Sequence, residues 1–112
     1  MREDGKIDYV EQPGGDLPAT KAFYQAAFGW SFTDYGPSYA AFNEGLDGGF
    51  DADADGLKRS LVILYAHDLE GMAAKVRAAG GVISRDIFAF PGGRRFHFKD
   101  PAGNELAVWS EG

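Results

Sequence analysis

The sequence predicts an α+β domain of two βαβββ modules, at about 6–51 and 60–111, forming a curved, mostly antiparallel, cup-shaped sheet with helices outside. Three observations predict it. Two helical stretches each open on Asp-Leu, at Asp16-Leu17 and Asp68-Leu69, and each follows one short strand. Each helix is followed by consecutive short strands with no helix between them, which calls for antiparallel neighbours rather than a doubly wound sheet. The same order therefore occurs twice, and a repeat of about 50 residues signals paired supersecondary units.

The first module opens with a strand at 6–12, K-I-D-Y-V-E-Q. Ile7, Tyr9 and Glu11 fall on one face, and Asp8, Val10 and Gln12 on the other. Pro13-Gly14-Gly15 ends it. Asp16 is an N-cap, and Pro18 sits in the first helical turn, where its missing N–H costs nothing. The helix runs over 17–28, with Leu17, Thr20, Phe23, Tyr24, Ala27 and Phe28 near one stripe, and Gly29 closes it. Strands follow at 30–35 and 39–43, with a weaker one at 48–50. The loop 51–58 mimics the start of a calcium-binding loop through Asp51, Asp53, Asp55 and Gly56. The closing glutamate that chemistry needs is replaced by Val62, so the loop reads as a solvated linker.

The second module starts with an almost wholly apolar strand at 60–66, the pattern of a strand buried on both faces. Asp68 caps a helix at 69–79 with Leu69, Met72, Val76 and Ala79 inward, and Gly80-Gly81 ends it. His67, just before the cap, reads as a surface residue. A strand at 82–88 and a turn at Pro91-Gly92-Gly93 lead into the last hairpin, 94–110. No helix start follows those glycines, so with Arg94-Arg95 they do not make a phosphate loop. Asp100-Pro101-Ala102-Gly103-Asn104 supplies the hairpin turn. If Lys99 pairs with Glu105, Phe96, Phe98, Leu106 and Val108 share a face suited to packing under a helix. Arg95, His97, Lys99, Glu105, Ala107 and Trp109 then share the other. A one-residue slip would bury the charged set and expose the apolar one.

Composition excludes several classes. Net charge is −6 and pI about 4.7, the wrong sign for nucleic acid or an anionic membrane surface. There is no cysteine, hence no disulfide and no thiolate nucleophile or ligand. No apolar run approaches the roughly 20 residues of a membrane span. The N-terminal M-R-E-D-G-K carries no signal-peptide core, so a cytoplasmic location is expected.

Two stretches carry a family resemblance: D-L-P-A-T-K-A-F-Y-Q-A-A-F-G-W from Asp16 and F-K-D-P-A-G-N-E-L-A-V-W from Phe98. They resemble the first helix and last hairpin of the vicinal oxygen chelate superfamily. It includes glyoxalase I, fosfomycin- and bleomycin-resistance proteins and extradiol dioxygenases. The resemblance covers the whole chain and implies the paired βαβββ fold. It places the family's metal-ligand positions at Tyr9, Leu61 and Ala107. Leucine and alanine cannot bind a divalent ion and neutral tyrosine seldom does, so neither a metal nor another cofactor is expected.

The face of the cup then supplies the candidates. His97 and Glu105 are the candidate acid–base pair. Tyr9, Glu11, Tyr65, Arg95, His97 and Trp109 are the candidate ligand-binding residues. The expected function is a metal-independent protein of the glyoxalase and bleomycin-resistance kind that binds a small apolar or aromatic molecule. One alternative is an enzyme of lyase, isomerase or dioxygenase type, and if an enzyme, a glyoxalase-like lyase or isomerase. It would use metal-free acid–base chemistry or a displaced metal site of Glu11, Glu105 and His97. Another is a dimeric scaffold without a ligand. A homodimer is expected, because exposed strand edges need covering and the resemblance implies paired chains. His97 is expected to be partly exposed, so His97→Ala should weaken ligand binding at a stability cost within about 1 kcal/mol.

Overall fold

The computed structural model describes residues 2–53 and 58–111. Asp55 and Gly56 of the calcium-like loop lie outside the described residues. The chain forms two compact units, residues 9–61 and residues up to 8 with those from 62 onward. Each holds one helix packed on its own strands, so the two expected βαβββ modules are present. Within the units, four of the six strand pairings are antiparallel.

The first module is β1 (Ile7–Pro13), α1 (Leu17–Phe28), β2 (Thr33–Asp34), β3 (Tyr39–Asn43) and β4 (Asp47–Asp51), with strand order β2-β3-β4-β1. The β1–β4 pair is parallel and the others antiparallel. Asp16 caps α1 by accepting from the Ala19 N–H at 3.3 Å, and Gly29 ends the helix at φ 74°. Leu17, Ala40 and Phe50 form the core, with Tyr24, Trp30, Phe32 and Phe42 packed on it.

Three expectations need correction here. The stripe on α1 is narrower than expected: Phe23 and Phe28 are 58% and 64% exposed. At about 100° per residue, a sheet that receives Leu17 and Tyr24 turns Phe23 toward water. Trp30, stacked on Tyr24 at 4.7 Å, takes part of the expected place of Phe28. The strand expected at 30–35 contracts to Thr33–Asp34, because the Ser31 N–H bonds the Glu44 carboxylate at 3.2 Å rather than a strand carbonyl. The strand expected to be the weaker one, β4, lies inside the sheet between β3 and β1. Gly48 and Gly49 make room there for the rings of Phe42 and Tyr39, which a Cβ would strike.

The second module is β5 (Leu61–Tyr65), α2 (Leu69–Ala78), β6 (Val82–Phe90), β7 (Gly93–Lys99) and β8 (Glu105–Ser110), ordered β5-β8-β7-β6. Asp68 accepts from the Gly71 N–H at 3.0 Å and caps α2. Lys99 does pair with Glu105, so the hairpin register is the one the alternation requires. Phe96 and Val108 are buried with Ala66, Leu69 and Ala73, and Phe98, Met72 and Val76 pack around them. The helix stops one residue early, and Ala79, expected inward, is exposed in the cap. β6 runs two residues further than expected and carries register shifts between Ile83 and Arg85 and between Arg85 and Phe88. Asp100 organises the turn by accepting from the N–H groups of Ala102 and Asn104, both at 2.9 Å. No helix among the described residues is long and apolar enough to cross a membrane.

Candidate functional site

Alternation on β7 turns Arg95 and His97 away from α2, on the face opposite Phe96. His97 faces Ala107 on β8 and Arg85 on β6, and it is 6% exposed. That burial contradicts the partly exposed histidine expected from the sequence: strands lie on both sides of β7, and Phe88 packs its ring 5.8 Å away. The imidazole Nδ1 lies 3.2 Å from the Glu105 Oε2, and the Ser84 hydroxyl donates to that same oxygen at 3.1 Å. A carboxylate only accepts, so Nδ1 carries the proton and Nε2 presents its lone pair. Nε2 is buried and has no hydrogen-bond partner among the described residues. Burial and the Arg95 guanidinium push the His97 pKa below its ordinary 6.5, against the opposing pull of Glu105. His97 is therefore a neutral imidazole at pH 7 with one fixed tautomer and an unused acceptor.

The surroundings of this pair are aromatic and cationic. The Arg85 guanidinium lies 3.7 Å from the Phe88 ring centre. That of Arg95 lies 5.4 Å from Phe88 and 5.6 Å from Phe90. The other two candidates of this module, Trp109 and Tyr65, adjoin this group: Trp109 faces Arg95 across the β7–β8 pairing, and its ring lies 6.3 Å from that of Phe90. The Trp109 indole N–H donates to Asp8 at 2.9 Å, and the Arg2 guanidinium sits 5.0 Å over its ring. The Tyr65 hydroxyl donates to Glu111 at 2.9 Å, and its ring meets Trp109 edge-on at 5.4 Å. Exposed His67 pairs with Asp4 at 2.7 Å.

In the first module Tyr9 and Glu11 are joined by a residue the sequence reading missed. The Tyr39 hydroxyl donates to the Glu11 carboxylate at 3.0 Å and lies 2.5 Å from the Tyr9 hydroxyl. Glu11 is only 6% exposed. Burial, then the Glu11 charge, pushes Tyr39 far above the ordinary tyrosine range, and burial raises Tyr9 as well. Beside Tyr9 is a cavity of about 320 Å³, lined also by Tyr35, Ala41, Asn43, Glu44 and Asp47.

The family's metal positions do not fit a divalent ion. Leu61 and Ala107 are apolar and buried, 4% and 0% exposed, and the Tyr9 hydroxyl is committed to Tyr39. Among the described residues no group of three His, Asp or Glu side chains is gathered that could hold a metal.

Ser84 was also missed. It reaches Glu105 across one intervening strand, β7, from a register shift in β6, so nothing local marks it. A signal for Tyr39 existed in Gly48-Gly49, since adjacent glycines in a strand mark the close approach of something large.

The sequence profile of the Glyoxalase/Bleomycin resistance protein/Dioxygenase superfamily matches residues 6–108. No curated protein matches. Among solved structures, the chain is similar to the Mn(II)-bound glyoxalase from Novosphingobium aromaticivorans, at 26% identity and a TM-score of 0.69. The match covers 99% of this chain and 40% of that one, so the chain spans less than half the glyoxalase's length. A methylmalonyl-CoA epimerase from Mycobacterium tuberculosis matches with a TM-score of 0.71 at 12% identity, over 100% of this chain and 91% of that one. An NAD-dependent benzaldehyde dehydrogenase from Legionella pneumophila matches with a TM-score of 0.78 at 13% identity, over 93% and 98%. The last two likenesses concern the fold alone.

Proposed function

The chain belongs to the glyoxalase/bleomycin resistance protein/dioxygenase superfamily, and from that membership we propose that it is a metal-independent protein that binds a small aromatic molecule carrying a hydrogen-bond donor. One observation carries the reading: His97 Nε2 is a buried acceptor without a partner among the described residues. A buried polar atom left unpaired costs about 1–3 kcal/mol, which a ligand's O–H or N–H would recover. Ser84 and Glu105 hold the imidazole so that the acceptor is fixed before the ligand arrives. The rings of Phe88 and Phe90 supply apolar surface nearby. Metal independence rests on the chemistry of Leu61 and Ala107, which offer no donor atom.

The His97–Glu105 pair also favours a second reading, metal-free acid–base catalysis. Nε2 would take a proton from a bound substrate while the Glu105 carboxylate stabilises the imidazolium that forms. The two readings share one site and differ in turnover.

Matched ligands test the proposal. Phenol and anisole share a ring, but only phenol donates. Titration followed by the ¹⁵N resonances of the His97 ring should show phenol shifting Nε2 and anisole leaving it in place. In His97→Ala, phenol should lose its advantage in affinity over anisole. Equal affinity for both, or no perturbation of His97 by either, sinks the proposal. So does a stoichiometric transition metal retained through dialysis and bound through His97.

A further inference from the structure

The cavity beside β1, β3 and β4 is not used by the His97 site, and its chemistry is different. Its lining includes Ala41 and Gly48, which contribute almost no side chain, and the rings of Phe32 and Phe42. Its walls include the rings of Tyr9 and Tyr35 and the carboxylates of Glu44 and Asp47. Glu44 accepts the Ser31 N–H. Among the described residues neither carboxylate is paired with a lysine or arginine.

The hydrogen-bond chain behind the cavity has a fixed direction. The Tyr39 hydroxyl donates to Glu11, so its one proton is spent there. The short Tyr9–Tyr39 contact then requires Tyr9 to donate to Tyr39. Both protons point inward, and the Tyr9 oxygen is left as an acceptor polarised by a buried carboxylate. No described residue donates to it. We propose that this cavity binds a small organic cation bearing N–H groups, an arylalkyl amine or amidine. Its charge would lie between Asp47 and Glu44, its N–H on the Tyr9 oxygen, and its apolar part against Tyr35. The sign suits a chain of net charge −6, and tyrosine faces attract cations on their own account.

Benzylamine is the probe, with the whole chain titrated and backbone amide shifts recorded. Shifts should centre on residues 41–48, and neutral benzyl alcohol and anionic benzoate should bind at least about tenfold more weakly. Asp47→Asn and Glu44→Gln keep side-chain size and should each weaken benzylamine while leaving benzyl alcohol unchanged. Tyr39→Phe keeps the ring but removes the link to Glu11. It should weaken benzylamine more than benzyltrimethylammonium, which has no N–H to donate. Equal binding of benzyl alcohol, shifts centred elsewhere, or Asp47→Asn and Glu44→Gln that both retain full affinity would overturn the assignment.

Discussion

His97 takes its chemistry from its neighbours, and its titration follows with a definite sign. Its folded pKa lies below the unfolded 6.5. Above about pH 6.5 both states are neutral, and the group contributes nothing to the pH dependence. As pH falls, the unfolded chain takes up the proton first, so stability declines until the folded pKa is passed. Denaturant midpoints between about pH 7 and 5 should therefore fall less steeply in His97→Gln than in the parent. An equal slope would show that folding leaves the histidine's pKa unchanged. His97→Ala should cost about 1–3 kcal/mol rather than the smaller amount expected of an exposed side chain, because it strips a buried ring of its contacts. Tyr39 makes the converse case. Tyr9 and Tyr39 are both held protonated, while unfolded tyrosines ionise near pH 10. Stability should therefore fall as pH rises above about 10, and Tyr39→Phe should flatten that fall. At neutral pH the same variant should cost about 1–3 kcal/mol, because Glu11 loses a donor in a buried place.

At the scale of elements, the second helix and its hairpin follow rules a sequence states openly. Asp68→Ala should lower stability by about 1 kcal/mol through loss of the cap, measurable as a shift in urea midpoint with unchanged slope. β4 follows a rule that sequence states only by omission. Its glycines weaken it by propensity, yet the rings laid over them make it the strand on which Tyr39 and Phe42 rest. Gly49→Ala should therefore destabilise by about 1–3 kcal/mol, against the usual gain from replacing a strand glycine. It should also displace Tyr39 from Glu11, visible as a loss of the alkaline pH dependence. A neutral or stabilising Gly49→Ala would mean the ring is not seated there.

At the scale of the whole molecule, the expected homodimer stands as a proposal with two features behind it. Among the described residues, β2 and β6 each end their unit's sheet with an unpaired edge. Phe23 and Phe28 leave two large rings in water on α1. Sedimentation should show a species of twice 12.1 kDa at micromolar concentration. A stable species of the single-chain mass would refute it.

The sequence by itself determined the two modules, both aspartate caps, the Asp100 turn and the register of the last hairpin. Each depends on residues a few positions apart, where periodicity, capping and turn chemistry act. At the Lys99–Glu105 pair the turn and the one-sided burial agree. Family membership was also legible, because two long motifs survive in order. Only the tertiary structure decided who meets whom. Ser84 reaches Glu105 across 21 positions, and Tyr39 reaches Glu11 across 28. Such contacts depend on strand order and bulges, summed over several pairings, and no local pattern encodes that sum. The burial of His97 was likewise undecided, since alternation gives the face of a strand but not what covers it. The seven candidates accordingly resolve into a neutral His97 held by Glu105, a Tyr9–Tyr39–Glu11 relay, and Trp109 tied to Asp8 with Tyr65 against its ring and Arg95 opposite it.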